Sequence, residues 1–581
     1  MKNIKLLHFI LPILLFSCNN DLETKSPNVI IVITDDQGYG DIGFNGNPHL
    51  ITPNLDKFAG ESIRFNNFNV SPVCAPTRSS LLTGRYSLRT GVTDTYNGGA
   101  IMSSTEITLA EIFNENNYKT GIFGKWHLGD NYPSRPSDQG FNESLIHLSG
   151  GIGQVGDFTN YYKGATSYYD PILWLNNKQK KYNGYCSDIF TDEAIKFIEN
   201  NKDSPFFCYL SFNAPHTPLQ VPEKYYQMYK DIDPTNINGE TLNMSEKNIL
   251  DAKKIYGMVT NIDENFGKLI NKLDELKLKE NTIVIFMTDN GPQQPRYVSN
   301  LRGLKSQVYN GGIKVPFYLN YPRIHDEGTD LDFFSAHIDI LPTITKLCNL
   351  PIPNDRKIDG IDLFDNKINK KERDFFSYWT RKSPELYKNI SLNNGNYKLV
   401  GNTNYNSKIE DFELYDLEED PNESENLIVQ EKSIGLEMKS RMDKIYDELI
   451  NSKNLINKPR INIGNPNENP TFLNRNDASG QRGIWSQNEV FGFWKVSITP
   501  GIYDFKFKFN NLDNSAGEMT LELGNNVYST EVSIDQDGFV FMRNIKLEGF
   551  YTIRQFENRT ELEIAEIYKH LSDLFESGNL S

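Results

Sequence analysis

The sequence has little cysteine and no excess of positive charge. Only five of its 581 residues are cysteine, and their spacing matches no zinc site and no disulfide-rich scaffold. Aspartate and glutamate number 76 against 60 lysines and arginines, so the formal net charge is -16. This charge argues against nucleic acid as a partner, because no general basic surface exists to neutralise phosphates. Any anionic ligand must therefore be met by a local cluster of cations or by a metal ion.

The sequence also lacks an apolar run of bilayer-spanning length. Its longest candidate is the N-terminal stretch 6–16, which follows Lys2 and Lys5 and is too short to cross a membrane comfortably. We interpret residues 1–17 as an export signal. Residues 15–18 resemble a bacterial lipoprotein box, in which Cys18 would be lipidated and would anchor the mature chain to the membrane. Phe16 is bulkier than this box usually allows, so cleavage by an ordinary signal peptidase stays open.

The chain is long enough for two or three domains, and with 38% hydrophobic and 12% aromatic residues it can form folded cores. We predict an α/β catalytic domain at 27–374, a small α+β subdomain at 375–453 and a β-sandwich module at 475–581. Residues 454–474, rich in Asn and Pro, are predicted to be a linker. The sandwich would either bind carbohydrate or brace the catalytic domain.

Two apolar runs, 29–34 and 282–288, are typical of strands buried on both faces of a mainly parallel sheet. Each is followed directly by polar residues, and ligands in such sheets bind at the carboxyl ends of strands. The residues that follow are Asp35, Asp36, Asp289 and Asn290. Adjacent carboxylates repel each other unless a cation neutralises them, and a hard divalent ion prefers oxygen ligands. The pattern therefore predicts a metal site.

The cysteine at position 74 stands between Pro72 and Pro76. Because prolines disfavour helix nearby, we expect a helix to begin near Arg78 and Cys74 to lie on a turn at its N-terminus. Backbone N–H groups and the helix dipole favour an anionic group there. The alternative is a small buried cysteine without chemistry.

Three further segments supply candidate cationic or proton-transferring side chains. Lys125 and His127 follow a predicted strand and would point to the same side of an extended chain. His216 lies between two prolines that stiffen its loop. Lys305 lies in a glycine-containing loop after the second acidic pair.

Several of these segments together resemble the formylglycine-dependent sulfatases of the alkaline phosphatase superfamily. The segment Cys74-Ala75-Pro76-Thr77-Arg78 continues into a Ser/Leu/Thr-Gly-Arg helix, and Gly-Lys-Trp-His-Leu-Gly at 124–129 and Arg-Gly-x-Lys at 302–305 follow in the family's order. The resemblance covers residues 27 to 450 and not the C-terminal module. It implies a mainly parallel central sheet flanked by helices.

The resemblance also implies roles for individual residues. Cys74 would be oxidised by a formylglycine-generating or anaerobic maturating enzyme to formylglycine (3-oxoalanine), whose hydrate attacks sulfur. The implied calcium ligands are Asp35, Asp36, Asp289, Asn290 and residue 74. Arg78 and His127 would hold and activate the nucleophile, Lys125 and Lys305 would contact the sulfate, and His216 would protonate the leaving oxygen. Asn310 departs from the family's glutamate, while His337 is interpreted as architectural.

These observations together predict a sulfatase of the cell envelope that acts on a sulfated carbohydrate, such as an algal polysaccharide or its oligosaccharides. One alternative is a phosphodiester or phosphonate monoester hydrolase of the same superfamily. The other is a non-catalytic glycan-binding surface lipoprotein whose cysteine is never converted. The tyrosines within 140–185 would stack on sugar rings or belong to the core.

Overall fold

The structure is a computed structural model of the chain. It describes residues 25–569 apart from 155, 158, 161–165, 326–327, 371–372, 382, 481–491, 511–517, 524–525, 532, 536–538 and 556–560. The predicted export signal and Cys18 lie outside the described residues. The four cysteines within them, at 74, 186, 208 and 348, are buried and form no disulfide. Within the same residues, no helix combines the length and the apolar character needed to cross a membrane.

Strands and helices alternate along the first 350 residues. The strands β1 to β14 are Asn28–Thr34, Ile63–Phe65, Phe68–Asn69, Lys119–Lys125, Glu143–His147, Ile172–Leu175, Lys178–Lys181, Phe206–Ser211, Asn236–Ile237, Glu240–Thr241, Thr282–Thr288, Phe317–Asn320, Asp330–Leu331 and Ser335–Ala336. The helices α1 to α9 are Pro53–Gly60, Cys74–Thr83, Ser87–Thr90, Leu109–Glu115, Cys186–Asn201, Glu223–Tyr229, Glu246–Glu275, Asn310–Ile313 and Ile340–Leu347.

Ten of these strands form the central sheet, in the order β13-β2-β12-β11-β1-β8-β4-β5-β6-β7. Its middle, from β11 to β5, is parallel, and antiparallel strands extend it at both sides. Strand β1 is buried along its whole length because helices cover both faces, which is why its sequence is continuously apolar rather than alternating. Val29, Ile31 and Ile33 pack with α2, α4 and α9. Ile30 and Val32 pack with α1, α5 and α7 on the other face.

The parallel register brings the predicted site segments to one edge of the sheet. Thr34 at the end of β1 is aligned with Thr288 at the end of β11. On the other side of β1, Ile33 is aligned with Ser211 of β8, which in turn is aligned with Gly124 of β4. The loops that leave these four strands therefore start side by side. The predicted α/β fold class is confirmed by this sheet and its two helical layers.

A smaller unit follows the central sheet. Its strands β15 to β18 are Phe375–Tyr378, Ile390–Asn393, Tyr397–Gly401 and Glu413–Asp416, and its helices α10 and α11 are Lys432–Ile450 and Lys453–Ile456. The four strands pair antiparallel in sequence order. Helix α10 packs its apolar stripe, including Met438 and Met442, against this sheet.

The C-terminal region is rich in β-structure. Its strands β19 to β26 are Ile461–Ile463, Thr471–Leu473, Ser479–Gly480, Gly492–Asn510, Glu518–Leu523, Asn526–Glu531, Phe539–Gln555 and Glu561–Lys569. They join in one eight-stranded sheet in which β22 and β25 pair over most of their length. A separate apolar core, which includes Trp494 and Tyr503, fills this region, and Ile101 of the catalytic domain joins it.

The predicted linker 454–474 is instead part of this folded region, because β19 pairs with β22 and β20 with β26. Between those strands, Glu468 accepts hydrogen bonds from Asn131 Nδ2 (3.1 Å) and the backbone N–H of Tyr132 (2.9 Å) in the catalytic domain. The Asn and Pro residues of this stretch make turns between short strands. Although this composition is typical of a linker, the stretch is folded here and contacts the catalytic domain.

Candidate active site

Asp35 and Asp36 leave the end of β1 and are fully buried. Asp36 has a positive φ of 63°, a left-handed conformation that aspartate tolerates better than most residues. One oxygen of each carboxylate meets a lysine from another loop. Lys125 Nζ lies 2.6 Å from Asp35 Oδ2, and Lys305 Nζ lies 2.5 Å from Asp36 Oδ1.

Asp289 and Asn290 leave the end of β11 and are also fully buried. Asp289 Oδ2 accepts hydrogen bonds from Nε and Nη2 of Arg78 at 3.0 and 2.8 Å. Asn290 Nδ2 donates to Asp36 Oδ1 at 2.8 Å, which ties the two strand ends together. Arg78 also donates to the carbonyl of Lys125, so one guanidinium spans both sides of the cluster.

Three buried oxygens in this cluster have no hydrogen-bond partner within the described part of the chain: Asp35 Oδ1, Asp36 Oδ2 and Asn290 Oδ1. Leaving such atoms unpaired inside a protein is costly, and native structures rarely do so. Ligand atoms of Asp35, Cys74 and Asp289 lie within 4.8 Å of one another. Carboxylate and amide oxygens arranged in this way form a donor set suited to a hard divalent cation such as Ca²⁺.

The charges of the cluster fit the same interpretation. Burial raises the pKa of Asp36, but the ammonium of Lys305 and other neighbouring groups together outweigh it and hold that pKa below its usual range. Burial and the charge of Asp35 raise the pKa of Asp289 to about 6, although Arg78 acts in the opposite direction. Asp35, Asp36 and Asp289 balance Arg78, Lys125 and Lys305, so the positive charge of a divalent ion would be left to meet an anionic substrate.

Cys74 is the first residue of helix α2, which spans Cys74–Thr83. The prediction that this helix begins near Arg78 is wrong. Pro76 lies in the first turn, where backbone N–H groups have no intrahelical acceptor, so a missing N–H costs nothing there. Cys74 is 1% exposed, and burial raises the pKa of its thiol. Its Sγ lies 3.5 Å from His127 Nδ1.

His127 has a φ of 61°, so the chain is not extended beyond Lys125 as the alternation argument assumed. The left-handed turn nevertheless directs its ring at Cys74. Nε2 lies 2.6 Å from the carbonyl of Thr95 and must donate to it, which leaves the lone pair of the neutral ring on Nδ1. Burial and the charge of Lys125 lower the pKa of His127. A Cβ at Gly150 would lie 2.8 Å from the ring, so glycine provides the space.

His216 lies beside the acidic pair, in the loop that follows β8. Its Nδ1 donates to the carbonyl of Thr217 at 2.7 Å, and its Nε2 lies 3.7 Å from Asp36 Oδ2. Burial, with the charge of Lys305, lowers the pKa of His216 to about 3. The ring is therefore neutral in this structure, with its Nε2 lone pair turned towards the cluster.

A cavity of about 250 Å³ opens over these groups. Its lining includes predicted residues and several that sequence reasoning missed. It is lined by Cys74, Thr95, Tyr96, His127, Gly150, Gln154, His216, Thr217, Gln293, Lys305, Ser306, Arg381 and Asn476. Arg381 comes from the smaller unit and Asn476 from the C-terminal region, and neither lies in a motif that could have identified it.

Four of the predicted site residues line this cavity: Cys74, His127, His216 and Lys305. Its lining does not include Asp35, Asp36, Arg78, Lys125, Asp289 and Asn290, nor the two other motif residues, Asn310 and His337. Asn310 Oδ1 accepts a hydrogen bond from Lys398 Nζ at 3.0 Å, and Asn310 N donates to Glu423 at 2.7 Å. The residue that departs from the family pattern thus joins the loop of Lys305 to a buried ion pair of the smaller unit. His337 donates through Nδ1 to a backbone carbonyl and accepts through Nε2 from Ser71, which is an architectural role.

The parallel sheet with acidic strand ends, the buried residue at a helix N-terminus and the nearby cations fit a hydrolase of the alkaline phosphatase superfamily. Residues 27–350 match the family described as Sulfatase, and residues 304–448 match N-sulphoglucosamine sulphohydrolase, C-terminal. The chain belongs to the type I sulfatase family and is a sulfuric ester hydrolase.

Relatives of known structure or activity extend over most of the same residues. An ulvan-active sulfatase of Formosa agariphila is 30% identical over 371 residues, which are 60% of this chain and 68% of that protein. Human arylsulfatase A is 28% identical over 456 residues, 70% of this chain and 84% of that protein. The crystal structure of Ps i-CgsB has a TM-score of 0.63 at 28% identity, covering 72% of this chain and 93% of that chain.

Proposed function

We propose that this sulfatase hydrolyses sulfate esters on a sulfated polysaccharide or its oligosaccharides, with Cys74 converted to formylglycine and with calcium bound by the acidic cluster. The observation that carries the proposal is the acidic cluster, in which three buried oxygens lack a hydrogen-bond partner among the described residues and Asp35 and Asp289 lie close to Cys74. Two relatives support the substrate class. One is named an ulvan-active sulfatase, and Ps i-CgsB has been crystallised with k-i-k-neocarrahexaose.

Asp35, Asp36, Asp289, Asn290 and residue 74 would hold the calcium ion. When bound, calcium would withdraw charge from a sulfate oxygen. The formylglycine, made by a separate maturation enzyme and hydrated, would supply a hydroxyl oxygen as nucleophile at the position of the thiol. An unmodified Cys74 is poorly suited to this task, because its buried thiol holds its proton.

The position of the nucleophile is prepared by His127, Arg78 and Asp289. His127 Nδ1, 3.5 Å from Cys74 Sγ, is the atom that would accept a proton from residue 74, because its Nε2 hydrogen is held by Thr95. Arg78 is completely buried and holds Asp289 through two hydrogen bonds. A fixed Asp289 and a fixed ring keep the reacting position from shifting, and such positioning is a large part of catalysis.

Lys125 and Lys305 would contact the sulfate group, and both now lie against aspartates of the cluster. Lys305 also lines the cavity, so its ammonium can reach a bound anion. His216 Nε2 would transfer a proton to the departing alcohol oxygen. Because the ring is neutral in this structure, that proton would be taken up together with the substrate, whose negative charge favours an imidazolium.

We also propose that the protein is exported and held at the cell envelope through a lipid on Cys18. The proposal rests on the apolar run 6–16 and on the lipoprotein-like residues before Cys18. Metabolic labelling with a fatty acid and membrane fractionation of Cys18→Ala test it. Unlabelled wild-type protein in the soluble fraction would contradict the anchor.

The catalytic proposal is tested by Cys74→Ala with Cys348→Ala as its control. Both cysteines are buried and unpaired, but Cys348 lies in the apolar core away from the cavity. Hydrolysis of nitrophenyl sulfate should disappear in Cys74→Ala and persist in Cys348→Ala. Mass spectrometry of the peptide containing residue 74 should show the aldehyde in active wild-type protein. Full turnover by a protein with an unmodified thiol would refute the proposed nucleophile.

A further inference from the structure

Arg381 stands at the wall of the cavity, in the loop that follows β15. Its side chain is 30% exposed, and it lines the same cavity as Cys74 and Lys305. It lies outside the catalytic motifs and has no part in the chemistry assigned above. The proposed chemistry therefore gives no reason for a guanidinium in the wall of this cavity.

The guanidinium of Arg381 is held in one orientation by its neighbours. The Cζ atom of Arg381 lies 4.3 Å from the ring centre of Tyr96 and 4.7 Å from that of Trp379. Its Nη1 donates to Asp94 Oδ1 at 2.9 Å and to Thr95 Oγ1 at 3.3 Å. Aromatic contacts of this kind orient a planar guanidinium without occupying its donors. Among the described residues, Nε and Nη2 have no hydrogen-bond acceptor.

The carboxylate that partners Arg381 is already shared. Asp94 is 1% exposed on its side chain, and it also accepts from the backbone N–H of Thr95 at 2.7 Å and from Trp379 Nε1 at 3.3 Å. Asp94 therefore meets one edge of the guanidinium from inside the protein. The remaining edge of Arg381 is left for a group that enters the cavity.

Thr95 joins this arginine to the catalytic machinery. Its hydroxyl accepts from Arg381, and its carbonyl accepts from His127 Nε2. A ligand bound beside Arg381 would thus be connected, through Thr95, to His127, the histidine that faces Cys74. None of the described residues that line the cavity is acidic, while Lys305 and Arg381 are both cationic. This is unusual in a chain of net charge -16.

We propose that Arg381 forms a second anion subsite, which binds a sulfate or carboxylate group of the glycan next to the sulfate that is hydrolysed. The Nε and Nη2 groups of its guanidinium can donate two parallel hydrogen bonds to such an oxyanion. The inference rests on the proposed function, in which Lys125, Lys305 and the metal bind the first sulfate. It identifies the preferred substrate as a glycan that carries two neighbouring anionic groups.

Bis-anionic ligands of graded length test this subsite without knowledge of the natural sugar. Ethane-, propane- and butanedisulfonate are compared with propanesulfonate as inhibitors of nitrophenyl sulfate hydrolysis and as ligands in thermal-shift titrations of the full-length, calcium-loaded protein. We expect one spacer to bind about tenfold more tightly than the monosulfonate. Sulfoalkanoates of the same lengths distinguish a carboxylate from a sulfonate as the second group.

Variants assign that preference to one side chain. Arg381→Gln should reduce the advantage of the disulfonate to about twofold, and Arg381→Lys should retain part of it. Arg356→Gln is the matched control, because Arg356 also pairs with an aspartate, at 2.7 Å, but does not line the cavity.

The outcomes separate the two proposals. No preference for any disulfonate in the wild type, or the same preference in Arg381→Gln, would overturn the second anion subsite. A disulfonate preference in thermal shift without any hydrolysis of sulfate esters would contradict the proposed function and leave the subsite standing. Loss of the preference in Arg356→Gln as well would show a general charge effect and would also overturn it.

Discussion

The inner end of the cavity and its outer wall are built in different ways. The inner end consists of loops that leave four aligned strands of one sheet, and its side chains are almost completely buried. The outer wall is assembled from three parts of the chain, with Tyr96 from the catalytic domain, Arg381 from the smaller unit and Asn476 from the C-terminal region. The strand ends position the inner side chains, whereas the wall depends on contacts between separate parts of the chain.

The loop 94–99 connects these two regions. Its Thr95 carbonyl fixes His127 on the inner side. On the outer side, Gly98 N donates to the carbonyl of Asn476 at 3.3 Å, and Gly480 N donates to Asn97 Oδ1 at 2.8 Å. A Cβ at Gly98 would lie 2.4 Å from Ser479 Oγ, so only glycine permits this close approach. The C-terminal region therefore supports the loop 94–99 and also contributes Asn476 to the cavity lining.

The largest effect is expected from a change at the inner end. Asp36→Asn keeps the shape of the side chain but removes one of the charges that would hold calcium and Lys305. We expect kcat/KM for nitrophenyl sulfate to fall by about a thousandfold and calcium binding to weaken. Steady-state kinetics and metal analysis of the purified variant check this. Asp355→Asn, at an exposed surface pair, is the control and should keep both properties.

A smaller effect that depends on the leaving group is expected at His216. Loss of a general acid typically costs about a hundredfold or more in rate. His216→Gln should slow the release of alcohols, which leave as poor anions, far more than the release of acidic phenols such as nitrophenol. Rates measured over a series of leaving-group pKa values check this. An equal loss for aryl and alkyl sulfates would contradict a proton-donating role and would indicate a general disturbance of the inner end.

The smallest effect is expected at Glu468, in the contact between the C-terminal region and the catalytic domain. Burial raises the pKa of Glu468 to about 7, although Arg135 acts in the opposite direction. The folded state thus binds the proton more tightly than the unfolded state, so this group favours folding below the unfolded pKa and loses that contribution as pH rises through 7. Relative to wild type, Glu468→Gln should gain a few degrees of melting temperature between pH 5 and pH 8.

Scanning calorimetry at several pH values measures that difference. Glu410→Gln, at an exposed ion pair outside this contact, provides the comparison. A difference between Glu468→Gln and wild type that stays constant with pH would show that Glu468 titrates alike in both states, and would remove the pH-dependent coupling of the C-terminal region.

Much of the inner end could be predicted from local sequence. A continuous apolar strand followed by polar residues marks a strand end in a parallel sheet, which is why the order of residues along the chain was enough to group Asp35, Asp36, Asp289 and Asn290. Local reasoning failed where backbone detail decides. The start of α2 at Cys74 and the left-handed conformation of His127 depend on contacts of the folded chain, which proline rules and strand alternation do not contain.

By itself, the amino-acid sequence determined the α/β class and the strand ends that carry Asp35, Asp36, Asp289 and Asn290, while the resemblance to the sulfatases supplied the candidate roles of the site residues. Period and polarity are properties of neighbouring residues, so they can be read along the chain. Only the tertiary structure decided that Arg381 and Asn476 face the cavity, and that residues 454–474 contact the catalytic domain through Glu468 rather than forming a free linker. Those contacts join segments hundreds of residues apart, and they form because separate cores pack against one another, which no local pattern records.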